Sequence, residues 1–125
     1  MIEVLSSLPL GVVGFRAHGT ITKDDYRDVV IPSLEGALVN SPHVRLLYEL
    51  APDFTGFEVG AMWEDLMLAV EHPTAWKAVA MVSDKKWVQW ITRTIGVLMP
   101  CPVRIFSCDE IQEAREWITS APNPD

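Results

Sequence analysis

Two short runs in this chain, VRLLYEL at 44–50 and AWKAVAMV at 75–82, are apolar enough to be strands buried on both faces. Strands of that kind need cover above and below, and helices on both faces of a sheet supply it. VRIF at 103–106 reads as another strand. At the N-terminus, MIEVL and VVGFRAHG form a hairpin across SSLPLG, where Pro9 and Gly11 punctuate the turn. Gly14 inside the second strand marks a bulge or a close backbone approach.

Helical patterns lie between the strands. Thr22 is a good N-cap, with Asp25 placed to complete a capping box. The apolar period then runs through Tyr26, Val29, Val30, Leu34, Ala37 and Leu38. Pro32 falls inside that pattern, lacks an N–H, and predicts a kink or division of the helix. Ser83 or Asp84 starts a helix through KKWVQWITRTIGVLM, stopped by Pro100 and Pro102. Ser107 caps a last helix with Ile111, Ala114, Arg115 and Ile118 along one stripe. The order is β-β-α-β-α-β-α-β-α. The fold class expected is α/β, with a mixed, mainly parallel five-stranded sheet covered by helices.

The 125 residues, 49% of them apolar, suit one domain over 1–119 with a flexible tail at 120–125. A net charge of −7 repels phosphate backbones and argues against nucleic acid as a partner. SDKKW is the one candidate basic cluster. No apolar run is long enough to span a bilayer, and MIEVLSSLPL lacks the features of a signal peptide. A cytoplasmic location is expected, with peripheral membrane contact still open. Cys101 and Cys108 flank an extended PVRIFS, too far apart along a strand to bond, and are read as free thiols.

GVVGFRAHGTITKDDY, VRLLYEL, GFEVGAMWEDL and GVLMPCPVRIF, in that order along nearly the whole chain, resemble the STAS fold of anti-sigma-factor antagonists. The resemblance is to its SpoIIAA-like branch, which is also likened to the lipid-binding CRAL-TRIO domain. GAMWEDL is its most specific piece. The resemblance implies a small domain without enzymatic activity that binds an apolar ligand, a membrane surface or a protein partner.

Members of that fold carry an Asp-Ser-Ser/Thr-Gly turn after the third strand, whose hydroxyl before the glycine is phosphorylated by a partner kinase. Here the stretch is Asp53-Phe54-Thr55-Gly56, so the resemblance makes Thr55 the phosphoacceptor, with Phe54 departing from the usual small residue. A phosphate at a helix N-terminus is favoured by the dipole and the free N–H groups, and Asp53 opposes it. The simpler expectation is that Thr55 is an N-cap and Glu58 completes its capping box.

Beyond Gly56 the chain reads as a helix apolar nearly all round, more so than one sheet contact requires. The helix after Asp84 repeats the pattern, with Lys85, Lys86 and Arg93 on the same segment. Such side chains serve as core, as a homodimer face, or as the lining of a cleft or membrane-facing lid. The expectation carried forward is an apolar small molecule or lipid held between the two helices. Its lining would be Phe57, Met62, Trp63, Leu66, Met67, Trp87, Trp90, Ile91 and Leu98. The alternative is a regulatory protein–protein module switched at Thr55.

Enzyme signatures are missing. There is no phosphate-binding loop, nucleophile elbow or C-x-x-C motif, and His18, His43 and His72 have no metal-ligand spacing. Glu64 and Asp65 diverge by about 100° on a helix and cannot face each other. Arg16, His18 and Glu49 can meet on the sheet, but nothing in the sequence makes them a catalytic set. No metal, cofactor or catalytic residue is expected.

Overall fold

Strand and helix alternate in the computed structural model much as the patterning requires. It describes residues 1–6, 8–9, 11–40, 42–58, 76–98 and 101–120. The strands are β1 Ile2–Val4, β2 Val12–Ala17, β3 Thr20–Ile21, β4 Val44–Leu50, β5 Gly56–Phe57, β6 Trp76–Val82 and β7 Val103–Phe106. A five-stranded sheet has the order β1-β2-β4-β6-β7, with β1 antiparallel to β2 and the other neighbours parallel. β3 and β5 form a separate two-stranded parallel pair, which the sequence patterning does not announce.

β4 and β6 lie in the middle, and each buries residues of both faces. On one face, Val13, Phe15, Tyr48, Leu50 and Val79 pack with Val30, Leu34, Phe54 and Val88. The other face joins Leu47, Ala78, Ala80, Val82 and Phe106 to Ala114 and Ile118. The small alanines of β6 let the last helix approach closely.

The first helical segment comprises α1 Lys23–Asp25, a π-helical stretch Tyr26–Val30 and α2 Ile31–Asn40. Its start is the expected capping box. Asp25 N–H donates to Thr22 Oγ1 at 3.2 Å, and Thr22 N–H donates to Asp25 Oδ2 at 2.9 Å. The division predicted at Pro32 is present one turn earlier, as the π stretch, which ends with Ile31 N–H bonded to Tyr26 O. A widened turn is a standard way to absorb a residue that cannot donate.

α3 spans Lys86–Leu98, and α4 spans Ile111–Ser120 after a 3₁₀ turn at Cys108–Glu110. Glu110 carboxylate reaches back to accept the Ser107 N–H at 2.8 Å, the return half of a capping box. At the far end of α4, Arg45 Nη1 donates to the carbonyls of Ile118 and Thr119, satisfying two terminal acceptors. Because α4 extends to Ser120, the tail expected from 120 falls outside the described residues only from 121 onward.

Gly14 marks a close approach. A Cβ there would lie 2.6 Å from Leu8 Cδ1 and 3.1 Å from Leu5 Cβ, so the hairpin loop folds directly over the strand. Cys101 and Cys108 are free thiols, as read from their separation. Among the described residues, no helix is long and apolar enough to cross a membrane.

Candidate functional site

The parallel strands β2, β4 and β6 end at Ala17, Leu50 and Val82, and the polar groups that follow them gather on one rim. Ligands of open α/β sheets bind outside such carboxyl ends. His18, just past β2, sits between two carboxylates. Its Nδ1 lies 3.0 Å from Asp53 Oδ1, and its Nε2 is in contact with Glu3 Oε1 at 2.5 Å. Next to it, register places Glu3, Arg16 and Glu49 in a row across β1, β2 and β4. Arg16 Nε donates to Glu49 Oε2 at 3.0 Å. The three residues singled out in the sequence thus divide between two charge clusters, Arg16 with Glu49 on the sheet and His18 with Glu3 and Asp53 just past the end of β2.

Thr55 is exposed on the same rim, where Thr20 and Thr55 hydroxyls lie 2.9 Å apart. Thr55 N–H donates to Gly19 O at 2.9 Å, and Glu58 N–H donates to Ile21 O at 2.7 Å. These bonds bracket the β3–β5 pair. They overturn the expectation that Thr55 caps a helix with Glu58 as the capping-box acid. Gly56 and Phe57 are extended, with Gly56 at φ 149°, so no helix starts at Thr55. Glu58 instead accepts the N–H of Lys23 through Oε2 at 3.3 Å, serving the N-terminus of α1. The S/T-x-x-E spacing is a real local signal, but a partner distant in sequence takes both groups.

The rim continues at β6 and β7. Ser83 is buried, and its Oγ accepts the Lys85 N–H at 3.1 Å before α3 begins. Asp84 does not cap α3; its Oδ1 accepts the Cys108 N–H at 2.9 Å, tying α3's approach to the turn before α4. Burial, and then Asp84, push the Cys108 thiol up, and it points at Leu50 O at 3.7 Å. A protonated thiol directed at a carbonyl is a poor nucleophile.

Beside this polar rim lies an aromatic cluster. Phe54 is buried, with Phe57 edge-on at a centroid distance of 5.1 Å and Trp87 stacked on it at 5.9 Å and 23°. Phe54, the residue that departs from the Asp-Ser-Ser/Thr-Gly pattern, is therefore the anchor of the cluster. From Trp87 an exposed strip runs along α3 through Trp90 and Arg93 to Val97. Trp87 is 42%, Trp90 68% and Val97 84% exposed. α3 carries no acidic residue.

A family model described as SpoIIAA-like matches residues 12–119. The chain belongs to the SpoIIAA-like family. A solved structure from Shewanella loihica PV-4, described as an uncharacterized protein from the DUF3478 family with a SpoIIAA-like fold, is similar at 27% identity and a TM-score of 0.74. The likeness covers 94% of this chain and 92% of that one. No curated protein matches the chain.

Within this SpoIIAA-like domain the residues expected to line a ligand site fall into three groups. Phe57 and Trp87 come together on Phe54, Phe57 from a strand and not from a helix. Trp90 and Ile91 lie on α3, Trp90 outward and Ile91 half-buried. Met62, Trp63, Leu66 and Met67 lie outside the described residues, as does the side chain of Leu98. An open groove of about 240 Å³ is found elsewhere, between α3 and β7, lined by Thr92, Arg93, Gly96, Val97, Val103 and Ile105. None of those residues was among the nine expected to line a ligand site. The available signal was the alternation of VRIF beside a helix whose outer positions are Arg93 and Val97.

Proposed function

We propose that this SpoIIAA-like domain is a non-enzymatic regulatory module that presents the exposed face of α3 and the adjoining Thr55 segment to a protein partner. The observation that carries this reading is Trp87 stacked on Phe54, the residue directly before the exposed Thr55. Solvent-facing tryptophans are the side chains most often found at the energetic centre of protein interfaces. Here one of them rests on an anchor covalently joined to a hydroxyl that a kinase can reach. Phosphate on Thr55 would stand beside Asp53 and displace the Thr20 hydroxyl, altering the base on which Trp87 sits. Thr55 pairs with another hydroxyl and the Cys108 thiol is held protonated, which supports a role without nucleophilic chemistry.

A second reading, an apolar ligand or lipid surface, has the exposed indoles with Lys86 and Arg93 in its favour. Affinity purification on the wild-type domain and on Trp90→Asp separates the two, paired with flotation on phosphatidylserine-containing liposomes. A protein retained by the wild type, lost with Trp90→Asp and rebound after purification supports the regulatory module. Trp90-dependent flotation, with no such protein, overturns it in favour of the lipid.

A further inference from the structure

β7 is the last strand of the sheet order, and its hydrogen-bond phase can be read from its inner neighbour. Val79 N–H donates to Pro102 O at 2.9 Å, and Ser83 N–H donates to Phe106 O at 2.9 Å. In a parallel ladder, residues alternate between facing the partner strand and facing away. Pro102, Arg104 and Phe106 therefore face β6, and Val103 and Ile105 turn their N–H and C=O groups outward. These are the same residues whose side chains line the groove against α3. Among the described residues no strand pairs with that outer edge, and no ion pair holds Arg93 on the groove wall.

An outward hydrogen-bonding row, a groove under it bordered by Val97, Val103 and Ile105, and a cation on the wall are the features that strand addition uses. From these we infer that β7 takes up an extended segment of a partner protein that carries apolar side chains at alternate positions and an acidic residue at Arg93. The segment would hydrogen-bond to Val103 and Ile105, and its groove-facing side chains would fill the space bounded by Gly96, Val97, Val103 and Ile105. Gly96 matters because a Cβ there would already be 3.5 Å from Val103 Cβ. A second copy of the chain fits less well. Antiparallel self-pairing that uses every outward group of both edges sets Arg104 directly against Arg104, a repulsive cross-strand pair. The inference rests on the regulatory-module reading, for which it names a partner chemistry, but it uses a different surface from the tryptophans.

The test uses two synthetic capped hexapeptides, Val-Thr-Val-Thr-Asp-Thr, whose Val and Asp side chains share one face of the strand, and the same sequence with Lys for Asp, titrated into the ¹⁵N-labelled domain. The Asp peptide should shift the Val103 and Ile105 amide signals, protect them from hydrogen exchange, and bind about tenfold more tightly than the Lys peptide at low salt. Arg93→Glu should reverse that preference. Ile105→Pro removes an outward N–H that the inner ladder does not use. It should abolish binding of both peptides while the domain still melts cooperatively. Absence of shifts at Val103 and Ile105, or equal affinity for the two peptides, overturns the proposal. So does a dimer in sedimentation equilibrium that Ile105→Pro dissociates. Peptide binding should survive Trp90→Asp, so failure at the β7 edge and failure of the tryptophan face are read separately.

Discussion

The hydroxyls of Thr20 and Thr55 meet at 2.9 Å across the β3–β5 pair, so the residue in the phosphoacceptor position is already engaged. An exposed hydroxyl pair contributes about 0.5–1 kcal/mol. Thr20→Val should lower stability by no more than that in urea unfolding. Thr55→Glu adds a charge near Asp53 and frees the Thr20 hydroxyl. It should weaken affinity for the purified partner about tenfold, or about 1.4 kcal/mol by calorimetry, with the melting temperature nearly unchanged. Unaltered affinity would remove Thr55 from the switch.

The aromatic cluster separates stability from recognition. Phe54→Ala empties a buried aromatic site and should cost about 3–5 kcal/mol. Trp87→Ala loses a half-exposed stacked partner and should cost about 1 kcal/mol. Trp90 is 68% exposed, so Trp90→Asp should stay within about 0.5 kcal/mol of wild type. Chemical denaturation of the three variants checks the ranking, and a large loss for Trp90→Asp would mean that this indole serves the fold.

Burial pushes the Cys101 thiol up to about 11 from its ordinary 9.0. At pH 8 its thiolate is then about 100-fold scarcer in the folded chain than in the unfolded one. Iodoacetamide labelling followed by peptide mapping should show a rate difference of that order with and without urea. The linkage has a definite sign: the folded value is raised, so the contribution to stability is whole below about pH 9 and declines as pH rises through about 11. Cys101→Ala should flatten that alkaline decline.

Gly14→Ala should cost about 1–3 kcal/mol, because the new methyl meets Leu8 and Leu5 in a packed hairpin. The nearest contact is the tip of the Leu8 side chain, so Leu8→Ala in the same chain should recover part of the loss. Equal losses in the single and double variants, measured by urea unfolding, would show that the strain lies in the backbone.

Much of the architecture was legible because the signals are local. The doubly buried runs at 44–50 and 76–82 fix helices on both faces, the Thr22–Asp25 spacing builds its capping box, and Pro32 announces a disturbed helix. Gly14 was ambiguous between a bulge and a close approach, and only the position of Leu8 decides it. The site was less legible. Phe57 and Trp87 were both expected at it, but their meeting depends on Phe54, which appears in the sequence only as a departure from a motif. Met62, Trp63, Leu66 and Met67 lie outside the described residues, so the expected cleft between two helices remains a proposal.

By itself the sequence determined the kind of sheet, its helical cover and the family, because apolar periodicity, caps and turn residues act over a few neighbours. Tertiary structure alone decided what Thr55, Glu58 and Asp84 bond to and which groups of β7 face outward. A capping side chain takes whichever partner the fold brings within about 3 Å. For these residues that partner is a strand, a turn or the start of a helix far away in the chain.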